Sequence, residues 1–161
     1  MKHWIFLFSL LVSPLAHADL MVSFINESSL PWNLSPNNYE NSPDNYDNSV
    51  NNYENSDNNY NNSESNYGNS SSNYDNGANG GNRLLVKEGS KLHRVGYYVQ
   101  SDDGVTNFFS ASGKRVFYNP KSGVGVFQGK KGFFCGALAR IESAYKLVLT
   151  EAGQKALFMA Q

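Results

Sequence analysis

Residues 35–76 are six tandem copies of one heptad, S-x-x-N-Y-x-N, and no other feature restricts the fold as strongly. The units read SPNNYEN, SPDNYDN, SVNNYEN, SDNNYNN, SESNYGN and SSSNYDN. Each opens on a serine and carries one aromatic ring, at the fifth place: Tyr39, Tyr46, Tyr53, Tyr60, Tyr67 and Tyr74. A fixed period sets the architecture first, because each unit must either stack on its neighbours or stay independent of them.

An α-helix is excluded. Ser, Asn, Asp, Gly and Pro fill the units and are poor in helix interiors, and one apolar side chain per heptad is half what a coiled coil needs. A single continuous strand is excluded too, because side chains alternate with period two and an odd repeat sends successive tyrosines to opposite faces. Two conformations are left. One is a disordered spacer, since Val50 is the only aliphatic residue between Ser35 and Asn76 and little offsets the chain entropy. The other is a short β-solenoid with two heptads per coil, held by Asn ladders and stacked rings.

Charge divides the chain at the same place. Residues 19–82 hold nine acids and no Lys or Arg, whereas residues 83–161 hold twelve Lys or Arg against five acids. Such asymmetry suits either mutual attraction of the halves or an anionic partner for the second. No nucleic acid is expected as a partner.

The first 18 residues read as a secretory signal: Lys2, an apolar run from Trp4 to Val12, and a small-x-small site at Ala16-His17-Ala18. The run is about nine residues, where a membrane-spanning helix needs ~20, so no transmembrane segment is expected after cleavage. Residues 19–34 form a short apolar segment that either docks on the later region or caps the first heptad. Residues 77–82, Gly/Asn-rich, form a linker.

From residue 83 to residue 161 the texture is that of a basic all-β domain. Short Val-, Phe- and Tyr-rich runs are broken by glycine turns at Gly89, Gly113, Gly132 and Gly153, about 20 residues apart, as in consecutive hairpins. The expected fold class is therefore mostly β: a small antiparallel hairpin meander, barrel-like or two-layer, behind the heptad tract. The last unit reads equally as a hairpin or as a helix capped by Thr150, with Gly153 counting against the helix. In a meander every second turn lies at one end, so Lys87, Lys91, Lys114, Arg115, Lys130, Lys131 and Lys155 are expected on one basic rim. Asp102, Asp103, Lys121, Arg140 and Glu142 fall at the other.

No catalytic constellation is visible. His93 is the only histidine after the leader, and Cys135, the only cysteine, sits in an apolar run suited to an inert thiol. Asp57-x-Asn59-x-Asn61 matches half of a calcium loop but lacks the Gly and the bidentate Glu that complete it. No metal or cofactor is expected, and no enzyme. The tandem S-P-x-N-Y-x-N units behind a short signal, followed by the GYYV, NFF and SGKRVFY stretches, resemble a group of uncharacterised bacterial exported proteins. That resemblance implies a periplasmic or extracellular protein and carries no activity, cofactor or functional residue.

These readings converge on an exported structural or binding protein. The basic rim and the six tyrosines are its candidate binding residues, and an anionic lipid headgroup, a glycan or a cell-envelope protein is the candidate partner. The alternatives are a passive spacer on a surface-anchoring β-domain and, more remotely, a small cell-wall hydrolase using Asp102 or Cys135. Oligomeric state is not legible.

Overall fold

The computed structural model describes residues 18–161; the leader expected over residues 1–18 lies, all but its last residue, outside the described residues. Eight strands close into a barrel: β1 (Leu20–Phe24), β2 (Arg83–Glu88), β3 (Lys91–Gln100), β4 (Thr106–Ser110), β5 (Arg115–Asn119), β6 (Gly125–Gln128), β7 (Phe134–Ile141) and β8 (Ala144–Leu149). One helix follows, α1 (Glu151–Met159). From β2 to β8 each strand is antiparallel to the next. The tips at Gly89, Gly113 and Gly132 have φ of 60°, 91° and 70°, a left-handed backbone that glycine adopts without steric cost.

The meander after residue 83 supplies seven strands, and the eighth comes from before the repeat. β1 lies parallel to β2 on one side, with Leu20 opposite Leu84, and parallel to β8 on the other, with Ser23 opposite Val148. Adjacent parallel strands cannot be joined by a tight turn and need a crossover. The crossover here is the whole of residues 25–82, heptads included. It passes outside the barrel as a belt: its turn at residues 32–34 lies on β7, that at 39–41 on β6 and that at 74–76 on β3. Tyr118 of β5 and Asn107 of β4 bond to belt residues between these points.

Two apolar layers follow from strand alternation. Every strand contributes to the interior, among them Leu20, Leu84, Tyr98, Phe108, Phe117, Val126, Leu138 and Leu147, and Leu157 of α1 plugs it at one end. Their neighbours Tyr118, Phe127, Ala139 and Val148 face outward and are covered by Leu30, Leu34 and Val50 of the belt. β4 and β5 are consequently buried along their whole length.

The last unit is the helix. The Thr150 side chain accepts from Gly153 N–H and donates to the Cys135 carbonyl. The glycine that counted against a helix is required by packing: a Cβ on Gly153 would stand 2.3 Å from the Cys135 carbonyl oxygen.

Candidate binding surface

The heptads are folded, and the repeating unit is one heptad, not two. Five of them carry a 3-10 turn over Tyr-x-Asn, and the third keeps the same backbone bonds. Three side chains account for the motif. The Ser at the first place accepts the N–H two residues on, at 3.1–3.2 Å. The Asn at the fourth place caps the 3-10 turn by accepting the N–H two residues on, at 2.9–3.2 Å. These are the Ser- and Asx-type turns that such residues favour.

The Asn at the seventh place holds one coil to the next. Its Nδ2 donates to the carbonyl six residues back, at 2.8–3.4 Å, and to the carbonyl eight back, at 2.6–2.9 Å. Six and eight straddle seven, so each coil is one heptad long. Asn41, Asn48, Asn55, Asn62, Asn69 and Asn76 are all buried. Neither the disordered spacer nor the fourteen-residue coil describes this arrangement. Both readings looked to apolar burial or to ladders of like side chains; side-chain amides paired with backbone carbonyls do the work instead.

The belt's inner edge is bonded to the barrel mostly through carbonyls. Tyr118 Oη donates to Asn48 O at 2.7 Å and Tyr97 Oη to Asn69 O at 2.6 Å. Arg94 Nη2 donates to Asn76 O at 2.8 Å. Burial pushes the Tyr97 phenol up to about 12 and raises the Tyr118 phenol as well. At the centre stands Arg115, expected on the exposed rim but only 5 % exposed because the belt covers β5. Its guanidinium donates to Asp57 Oδ1 at 2.6 Å, Asn55 O at 2.9 Å and Asn107 Oδ1 at 2.7 Å. Desolvation lowers its pKa, and Asp57 opposes that shift. The opposed charges of the two halves thus meet in part, here and at Lys121–Glu54.

The tyrosines take no part in this network. Tyr39, Tyr46, Tyr53, Tyr60, Tyr67 and Tyr74 are 62–77 % exposed, and among the described residues none of their hydroxyls makes a hydrogen bond. Because every coil is equivalent, they form one row rather than two. The row has a seventh ring that the sequence reading missed. Ser28-Ser-Leu-Pro-Trp32-Asn-Leu34 is a degenerate heptad with its own 3-10 turn, Trp32 is 67 % exposed in the tyrosine place, and Asn33 O accepts from Asn41 as in the later coils. Reading the heptad frame one unit back from Ser35 would have found it.

The other candidates separate. Lys114, Lys130, Lys131 and Lys155 line one groove at the end of the barrel closed by α1, whereas Lys87 and Lys91 stand exposed on the β2–β3 hairpin, off the groove. At the opposite end Asp103 accepts from Asn59 and Asn61, while Asp102, Arg140 and Glu142 are exposed. Cys135 is buried and desolvation pushes its thiol up to about 12, so it is no thiolate nucleophile at neutral pH. His93, half-exposed, lies 3.5 Å from Glu88. Among the described residues no His/Cys/Asp/Glu cluster fits a metal ion, and no helix is long and apolar enough to cross a membrane. The chain matches no protein-family model, no curated protein and no solved structure.

Proposed function

We propose that this chain is an exported, non-enzymatic binding protein, whose belt displays a row of seven aromatic rings to a chain-like glycan while the barrel holds the row rigid. One observation carries the reading. Ser, Asn and Asn of each heptad recur because the coil needs their hydrogen bonds, but the Tyr recurs with no such role and points its ring to solvent. A ring kept at every coil and left exposed is suited to contact outside the molecule. Tyrosine offers an apolar face with a polar tip, which matches the C–H face and hydroxyl edge of a sugar ring. A periodic row suits a polymer with its own repeat. The exposed side chains at the variable places after the tyrosines, such as Glu40 and Asp47, add polar partners. Export rests on the leader and on the resemblance of the repeat.

The test is affinity electrophoresis and array binding against cell-wall and capsular polysaccharides, comparing the natural chain with Tyr46→Ala/Tyr53→Ala/Tyr60→Ala. At about 1 kcal/mol for each stacked ring, three losses weaken binding about a hundredfold. The far-ultraviolet spectrum and thermal midpoint should be unchanged. Equal retention of the triple variant, or no retention of the natural chain on any polysaccharide, would overturn the reading.

A further inference from the structure

The end of the barrel closed by α1 differs from the rest of the surface. α1 buries Gly153 and Leu157 and lines the groove with Ala152, Lys155, Ala156 and Met159, of which Ala156 is partly buried against the core and the others are exposed. These four are spaced i, i+3, i+4, i+7, one helix face. They form one wall of a groove of about 530 Å³. Lys114, on the β4–β5 hairpin, and Lys130, Lys131 and Phe133, on the β6–β7 hairpin, form the other. The β6–β7 tip is fixed, because the backbone N–H groups of Lys130 and Lys131 both donate to Gln128 Oε1.

Among the described residues none of these four lysines makes an ion pair. The one acid on the groove, Glu64, accepts from the Arg115 backbone N–H. Apolar side chains are exposed on the same groove: Phe133 at 39 % and Met159 at 76 %. Packing inside this chain accounts for neither feature. Together they have the composition of a surface that lies in a membrane interface, with cations at headgroup level and apolar side chains beneath. A soluble polyanion would satisfy the lysines and leave Phe133 and Met159 in water.

We propose that this groove docks the protein onto an anionic phospholipid surface, Lys114, Lys130, Lys131 and Lys155 binding headgroup phosphates and Phe133 and Met159 entering the acyl boundary. The proposal is independent of the tyrosine row: docking through the closed end would fix the barrel and leave the belt's outer side to its own ligand.

The experiment is co-sedimentation of the mature chain with vesicles of phosphatidylglycerol and phosphatidylcholine, against phosphatidylcholine alone. At about 1 kcal/mol for each lysine near the surface, the anionic vesicles should bind on the order of 10³-fold tighter at low salt. Lys130→Gln/Lys131→Gln should lose at least tenfold, whereas Lys87→Gln/Lys91→Gln, the same charge change off the groove, should lose less than threefold. Phe133→Ser/Met159→Ser should abolish the binding that persists at high salt. Equal losses from the two lysine pairs would overturn the proposal in favour of net charge. Full binding by Phe133→Ser/Met159→Ser, with complete displacement by inorganic phosphate or a soluble polyanion, would overturn the lipid in favour of a phosphate-type ligand. All of these side chains are exposed or rim-lying, and an unchanged thermal midpoint in each variant confirms that folding is not what is read.

Discussion

Phe108 in the barrel and Asn62 in the belt are both 0 % exposed, and they are buried for opposite reasons. Phe108 is hydrocarbon taken from water into a cluster that all eight strands share. Asn62 is polar, and its burial is tolerable because every side-chain atom that can bond does so: Nδ2 to Glu54 O at 2.6 Å and Ser56 O at 3.1 Å, Oδ1 from Asn107 at 2.9 Å. The barrel is therefore sensitive to volume and the belt to satisfaction. In the barrel a smaller apolar side chain leaves a cavity. In the belt, loss of one amide leaves carbonyls without donors, and unpaired buried polar groups cost more than a formed bond returns.

The largest effect is expected at Arg115, where the two regions join. Arg115→Ala leaves the buried Asn107 Oδ1 and the Asn55 carbonyl without their donor and takes the cation from Asp57, whose own side chain is 43 % exposed and rehydrates. Two acceptors stranded in this way, with the guanidinium's packing lost, cost about 2–4 kcal/mol. Urea unfolding should show a loss of that size, together with rapid hydrogen exchange in residues 52–64. A loss under about 1 kcal/mol would mean that the belt is held by its own coils rather than by the barrel.

A smaller effect separates satisfaction from composition within one heptad. Asn62→Ala removes the bonds to the Glu54 and Ser56 carbonyls and the acceptor of the buried Asn107 amide, and should cost about 2 kcal/mol. Asn58→Ala, at an exposed variable place of the same heptad, should change stability by less than about 0.5 kcal/mol. Equal costs for the two asparagines would show that the tract depends on asparagine content and not on the seventh-place bond.

The same contrast explains what could be read from the chain. Hairpin tips at Gly89, Gly113 and Gly132 were legible because glycine at a turn is a local signal. β1 was not, since Leu-Met-Val-Ser-Phe is short and its parallel partners lie across a crossover that leaves no turn to read. The belt's conformation was hidden for a different reason. A tract without aliphatic residues looks unable to offset its entropy, and nothing in the heptad announces that its last Asn reaches carbonyls six and eight residues back. Arg115 misled in turn, because a charged residue beside a hairpin tip ordinarily faces water. The tyrosines were legible as candidates from their period alone, but that they form one row, and that Trp32 extends it, required the coil length.

Acid should distinguish the regions with the gentlest perturbation. The barrel's shifted phenols and thiol, Tyr97, Tyr98, Tyr118 and Cys135, are all pushed up chiefly by burial, so they stay protonated and unchanged as pH falls. The shifted carboxylates lie where the belt or its exit meets the barrel. Asp103 is held below its ordinary 3.8 by hydrogen bonds from Asn61 and then Asn59, with Lys121 adding a smaller pull. Asp19 is lowered chiefly by its side-chain bonds to Arg83, the residue at which the chain leaves the belt. A carboxylate depressed in the folded state contributes stability that is whole above the unfolded value, near 3.8, and lost as pH drops through the lower folded one. Hydrogen exchange, corrected for intrinsic rate, should therefore show residues 59–62 losing protection below about pH 4 while the amides of β4 and β5 keep theirs. Asp103→Asn should flatten that dependence at residues 59–62 and leave the Asp19 contribution in place. Simultaneous loss of protection in belt and barrel would mean that the two regions open as one unit, and that the belt is as much a part of the cooperative core as Phe108.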